Sequence, residues 1–145
     1  MKKFIVLLFL GGIIVLFSYL TGYYFGLESR IVGLISNSLH FLSGIYAFFF
    51  VVSVFDITKK YHNTITVPLM ESLIFICGAL ALGVIWEWYE FIFIYWDKVF
   101  ILNKQSTLIY VDTVSDLALD LLGALSASFC YLIRKKWKKQ IKSFI

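Results

Sequence analysis

Apolar residues in this chain run continuously instead of recurring at the intervals of a helix packed in water. Four stretches, residues 4–24, 31–55, 72–96 and 113–133, are predominantly apolar over 21, 25, 25 and 21 residues. About 20 such residues, rising ~1.5 Å each, cross a hydrocarbon core ~30 Å thick, so each stretch predicts one transmembrane helix. Together they take 92 of the 145 residues and leave little for a soluble domain. The expected fold class is all-α and integral to the membrane: a four-helix transmembrane bundle, a single domain, followed by a basic amphipathic tail at 134–145.

The polar residues between the stretches set the orientation. Lys2, Lys3, Lys59, Lys60, Arg134, Lys135, Lys136, Lys138, Lys139 and Lys142 flank one side of such a bundle, and Arg30, Lys98 and Lys104 flank the other. Ten against three predicts that both termini are cytoplasmic. The start, Met1-Lys2-Lys3 before an apolar run, imitates a secretory signal. No small-x-small cleavage site follows and no alanine precedes Ala47, so the segment is expected to remain as the first span. Tyr19, Tyr23, Tyr24 and Phe25 close span one, and Trp88, Tyr89, Tyr95 and Trp96 close span three, as an interfacial aromatic belt on the outer side. In the tail, Trp137, Ile141 and Phe144 recur at i, i+4, i+7 among basic residues, which suits a helix lying on the inner leaflet or a basic tail serving topology alone.

Two loops separate spans two to four. The outer one, 97–112, holds two β-prone runs, 99–102 and 107–111, around Asn103-Lys104-Gln105-Ser106, and predicts a short hairpin. The inner one, 56–66, is polar, and Pro68 stands where a first-turn proline opens span three. Composition agrees with the spans: 61% hydrophobic, 15% charged and mean hydropathy +0.88. Average globular chains are roughly 45–50% apolar and about 25% charged, so ordinary soluble enzymes, disordered chains and fibrous chains are excluded. The net charge of +4 lies in juxtamembrane clusters and is not a nucleic-acid footprint. Cys77 and Cys130 fall inside apolar segments and read as packing residues.

Candidate chemistry enters through the length requirement. Span three is uncharged only over 72–86 and span four only over 121–133, fifteen and thirteen residues, too few to cross. Completing them draws Glu87, Glu90, Asp116 and Asp120 to membrane depth, roughly 6 to 14 Å below the outer surface, with His40 of span two at ~15 Å. Helical spacing gathers these residues on faces that continue into small residues. One face carries Asp112, Asp116, Asp120, Gly123 and Ala127. A second carries Glu90, Glu87 and Gly83, and a third Gly33, Asn37, His40, Gly44 and Ala47.

Burying an aspartate at a helix centre costs ~2.5–3.5 kcal/mol, so four unpaired carboxylates would cost on the order of 10 kcal/mol. The spans contain no lysine or arginine, and only His40 can offset a negative charge. The acids must be protonated, hydrated, or neutralised by a cation. The set His40, Glu87, Glu90, Asp116 and Asp120, with Asp112 at its rim, is oxygen-rich with one imidazole. It suits Mg²⁺, Mn²⁺ or Ca²⁺, with a catalytic Zn²⁺ or a di-metal site as further options. The remaining polar residues have plainer readings. His62 is read as a solvated loop residue, Glu71 as interfacial, and Glu28 and Asp97 as outer-boundary charges. Phosphate-binding glycine loops, HExxH and GxSxG motifs and a cysteine nucleophile are missing. Ser36, Ser38 and Ser43 near His40 read as packing serines.

Three groups of residues resemble a known family. Ser38-Leu39-His40-Phe41-Leu42-Ser43-Gly44, Trp86-Glu87-Trp88-Tyr89-Glu90, and Asp112-Thr113 through Asp116, Asp120, Gly123 and Ala124 resemble the YjdF-like bacterial inner-membrane proteins over about residues 36–127. The likeness implies a multispan fold with a polar layer in a prokaryotic cytoplasmic membrane, and brings no settled activity. The last span also resembles VanZ-like proteins, although Asp120 stands where those carry asparagine. Three functions remain open. One is a metal-dependent enzyme acting on a lipid or polyprenyl head group, with membrane lipids as partners. Another is a cation- or proton-coupled transporter or channel, for which four short helices call for a homo-oligomer. The third is a non-catalytic assembly protein.

Overall fold

The computed structural model of the protein describes residues 2–25, 30–59, 67–95 and 106–144. These form four helices: α1 (Lys2–Phe25), α2 (Arg30–Lys59), α3 (Pro68–Glu90), which continues as a π-helical segment (Phe91–Tyr95), and α4 (Ser106–Phe144). No strand occurs among the described residues. Within the described side chains, Gly33–Thr58, Pro68–Phe93 and Tyr110–Trp137 are long and apolar enough to cross a membrane, and Ile5–Phe17 is a shorter apolar stretch of α1. At ~1.5 Å per residue the 24 residues of α1 are ~36 Å long.

Each helix starts before its predicted span, and α1, α2 and α4 also end beyond theirs, for one reason. A helix leaves four N–H groups unpaired at its start and four C=O groups at its end, and in hydrocarbon those find no water. The ends therefore move outward. At the start of α3 the prediction holds: Val67 is the extended N-cap residue, Pro68 opens the first turn, and the Glu71 N–H donates to the Val67 carbonyl at 3.1 Å. The hairpin does not form, because its second run, 107–111, belongs to the first turns of α4. Strand propensity there is overridden by the helix already required to carry Asp112, Asp116 and Asp120. The hairpin's first run and Trp96 lie outside the described residues, as do Glu28, His62, Asp97 and Lys98. Residues 56–59, assigned to the inner loop, complete α2.

The bundle is organised around α4, which packs on both α2 and α3, while α1 packs on α2. Where α2 meets α4 the backbones touch. A Cβ on Gly44 would stand 2.1 Å from the Asp120 carbonyl oxygen, and one on Gly123 would stand 2.1 Å from that of Phe41. Only glycine permits this approach, the small-residue packing typical of membrane helices. Below the crossing lies the apolar core, Ala47, Phe48, Phe75, Ala79, Ala124 and Ala127. Phe48, Phe75 and Tyr131 pack edge-to-face with centroids 5.6–6.0 Å apart, and Phe55 joins Phe75 at 5.3 Å. α1 docks through Tyr46, whose hydroxyl donates to the Leu7 carbonyl at 2.9 Å against the bare backbone of Gly11.

One expectation about packing is corrected here. Cys77 and Cys130 face outward and are exposed. Thiols are apolar enough to sit against lipid, so a hydrophobic segment does not bury its cysteines as a water-soluble core would. Glu71, in the first turn of α3, is 2% exposed, accepts from the Tyr131 hydroxyl at 3.0 Å, and pairs with Lys135. The amphipathic tail is a direct continuation of α4, and Lys135 reaches back along it to Glu71.

Candidate metal centre

The end of the bundle where α2 and α4 begin and α3 ends is termed upper. In this half, His40 of α2, Glu87 and Glu90 of α3 and Asp116 of α4 each direct one nitrogen or oxygen to a common point, all four atoms lying within 4.8 Å of one another. His40, Glu87 and Asp116 are buried and Glu90 half-buried. Their convergence follows from helix phase. Glu87 and Glu90 are i, i+3 on α3, and His40 lies one turn above the Gly44 crossing that holds α2 against α4.

The imidazole sits between two aspartates. His40 Nε2 is 3.4 Å from Asp116 Oδ2, and Nδ1 is 3.6 Å from Asp120 Oδ2. Asp120 is fixed from two sides. The Ser43 hydroxyl lies 2.5 Å from its Oδ1, with the His40 carbonyl a second acceptor at 2.8 Å. Gly83 of α3 leaves the space its Oδ2 occupies, since a Cβ there would stand 2.7 Å away. On α3 the Trp86 indole N–H donates to Glu90 Oε1 at 3.0 Å across one turn. Glu87 Oε1 is fully buried without a hydrogen-bond partner, and so is His40 Nδ1.

Of the six residues expected to form the site, four share the centre. Asp120 stands behind His40 at its other nitrogen, and Asp112 lies one helical turn above Asp116, exposed at the upper rim. Gly33 and Asn37, placed on the same stripe by spacing, are exposed and lie away from the crossing. The stripe begins to face inward only at His40. Ser43, read from sequence as packing, holds Asp120, and Trp86 orients Glu90. Their signals were the i+3 spacing from His40 and the i+4 spacing to Glu90.

The group can hold a metal ion by donor chemistry and by size. Ligands on opposite sides of Ca²⁺ are ~4.6–5.2 Å apart and of Mg²⁺ ~4.0–4.2 Å, as follows from their bond lengths. A spread of at most 4.8 Å falls within the Ca²⁺ range, and Mg²⁺ would require the side chains to close in slightly. The orphaned Glu87 oxygen is the second sign of fit, because a buried carboxylate oxygen without a donor is costly unless something electropositive meets it.

A polytopic all-helical membrane protein with a buried His/Glu/Asp group is the class these features define. Residues 3–136 match the family described as "Predicted membrane protein (DUF2238)", and the chain belongs to that family, which is also that of the YjdF-like proteins. No curated protein and no solved structure matches the chain.

Proposed function

We propose that the protein binds one divalent cation through His40, Glu87, Glu90 and Asp116, and that the centre acts on the head group of a membrane lipid. The observation that carries this reading is the convergence of three carboxylates and an imidazole where no lysine or arginine is in the spans to neutralise them. Asp120 serves as the outer partner of the imidazole. Its carboxylate faces Nδ1 at 3.6 Å, within ion-pair range, and leaves Nε2, on the Asp116 side, as the ligand atom. When bound, a divalent cation supplies polarisation of a phosphoryl or carbonyl oxygen. Glu87 and Asp116 are ligands and Glu90 a ligand steered by Trp86, while Ser43 holds Asp120 in place.

Conduction is the weaker reading. Below the centre the axis is filled by Phe48 and Phe75, both fully buried, and by the Glu71, Tyr131 and Lys135 contacts. An ion route would need hydrated groups along that length.

The test is elemental analysis of purified protein together with melting curves in Ca²⁺, Mg²⁺, Mn²⁺ and Zn²⁺. One equivalent of metal and a rise in Tm are expected, with both lost in Glu87→Gln and Asp116→Asn while metal-free stability is retained. If no ion raises Tm and both variants melt far below the parent, the group is structural and the reading fails.

A further inference from the structure

A cavity of about 390 Å³ opens between α1 and α3, with α2 as its floor. It exists because α1 packs on α2 and scarcely touches α3 among the described residues. Its α1 wall runs from Leu8 to Val15 and its α3 wall from Ala79 to Trp86, ~10 Å each, while its α2 floor runs from Ser36 to Phe50, ~21 Å. The lining is mostly apolar, and Ser36, His40, Ser43, Tyr46 and Asp120 bring polar groups to it. An engineered apolar cavity of ~150 Å³ already takes up benzene, so a space this size has room for a ligand.

We infer that this cleft is a slot for one hydrocarbon chain of a bilayer lipid, entering sideways between α1 and α3, with the lipid's polar end brought to His40, Ser43 and Asp120. Position dictates the occupant. The slot lies at hydrocarbon depth beside helices whose outer faces are leucine, isoleucine and phenylalanine, so what fills it comes from the bilayer. The lining dictates the placement. Its imidazole and its carboxyl group, His40 and Asp120, lie above the apolar stretch that ends at Phe50. A lipid drawn into the slot therefore meets them with its polar end, sunk by the ~15 Å that separates His40 from the outer surface. The inference deepens the cation reading and rests on it for the role of the head group, whereas the slot itself rests on the shape of the bundle.

Gly12 allows a clean perturbation. It lines the slot, and a Cβ there meets nothing within 4 Å, so Gly12→Phe fills the slot without a clash at its first atom. Gly33→Phe is the control, since Gly33 is equally open and does not line the slot. The probe is a phosphatidylcholine with a diazirine at the end of one acyl chain, titrated into nanodiscs holding the whole protein, with cross-links mapped by mass spectrometry. Cross-links at Leu8, Val15 and Phe50 are expected to saturate at one lipid per chain, while those at the outward-facing Leu122 and Phe129 rise in proportion to probe. Gly12→Phe, and independently Val15→Trp, should lower the saturable fraction on the order of tenfold, and Gly33→Phe should leave it unchanged. Cross-links that rise linearly at all five positions, or that survive both slot-filling variants, overturn the slot. Metal stabilisation is measured on the same samples. Saturable labelling without any metal shift supports the slot and refutes the cation reading, and a metal shift with only linear labelling does the reverse.

Discussion

Gly123→Ala removes no ligand, yet should weaken the metal centre. The added Cβ would stand 2.1 Å from the Phe41 carbonyl oxygen and 3.0 Å from the Ile45 nitrogen, the two ends of one backbone hydrogen bond of α2. Neither is the tip of a flexible side chain, so the helices themselves must part. Ordinary contact begins near 3.4 Å, which requires a retreat of roughly 1.3 Å. His40 rides on α2 one turn above the crossing, while Asp116 and Asp120 ride on α4. The same displacement therefore opens distances that now measure 3.4 and 3.6 Å. Metal sites tolerate ligand shifts of only about 0.2 Å. The expected loss of affinity is comparable to the roughly 10–100-fold that follows removal of an outer partner. Overpacking of this kind costs about 1–3 kcal/mol of stability. Melting curves with and without metal separate the two effects, and Gly12→Ala, whose Cβ meets nothing within 4 Å, is the neutral control. A Gly123→Ala protein that melts with the parent and keeps its full metal shift would show that α2 and α4 do not approach this closely.

Asp120→Asn should lower metal affinity roughly 10–100-fold without abolishing it, because the variant keeps the shape and loses the negative charge behind His40; a metal titration reads this, and complete loss would make Asp120 a ligand. Acid should weaken binding, since each carboxylate and the imidazole must shed its proton to act as a ligand; metal addition at neutral pH should release protons, measurable in weakly buffered solution. Lys135→Met should destabilise the protein more than Glu71→Gln, by up to ~3–5 kcal/mol, because it leaves the 2%-exposed carboxylate without its charge partner. Equal melting temperatures for the two would show that Tyr131 alone satisfies Glu71. A reporter fused after Ile145 should be active on the cytoplasmic side, and an extracytoplasmic reporter would invert the orientation.

The centre was legible in the sequence because the bilayer supplies a ruler. Fifteen and thirteen uncharged residues cannot cross, so Glu87, Glu90, Asp116 and Asp120 had to lie inside, and their depth followed by counting. Which acids share a point was less legible. Spacing placed Asp112, Asp116 and Asp120 on one stripe, but a stripe drifts around the helix and α4 faces two neighbours at once. Asp116 consequently turns toward the imidazole's Nε2, Asp120 toward Nδ1, and Asp112 out to the rim. The pairing of Glu71 was not legible because its partners lie sixty and sixty-four residues away, and Lys135 had been assigned to orientation alone. The hairpin failed for a related reason: β-propensity is a local signal, and the demand that helix ends reach water overrides it.

The two polar groups of the bundle obey different logic, and this is why only one of them is read as a functional centre. At the lower end Glu71 has a lysine and a tyrosine directed at it, so its charge is matched by the chain itself. Such a pair fixes the register of α4 on α3, and helix α4 supplies both partners from consecutive turns. At the upper end four helix positions contribute three acids and a histidine, with Asp120 as a fourth acid behind them, and the spans contribute no cation. The chain had the means to neutralise an acid internally and uses it at Glu71. Where it does not, and leaves the Glu87 oxygen without a donor, the group is one that could hold a metal ion, which is the basis of the proposed reading. The Gly44 and Gly123 contact then gains a purpose beyond packing. It holds α2 and α4 close enough for the imidazole and two aspartates to remain in register while α3 brings the glutamates, so that under the proposed function a cation would find its ligands already in place.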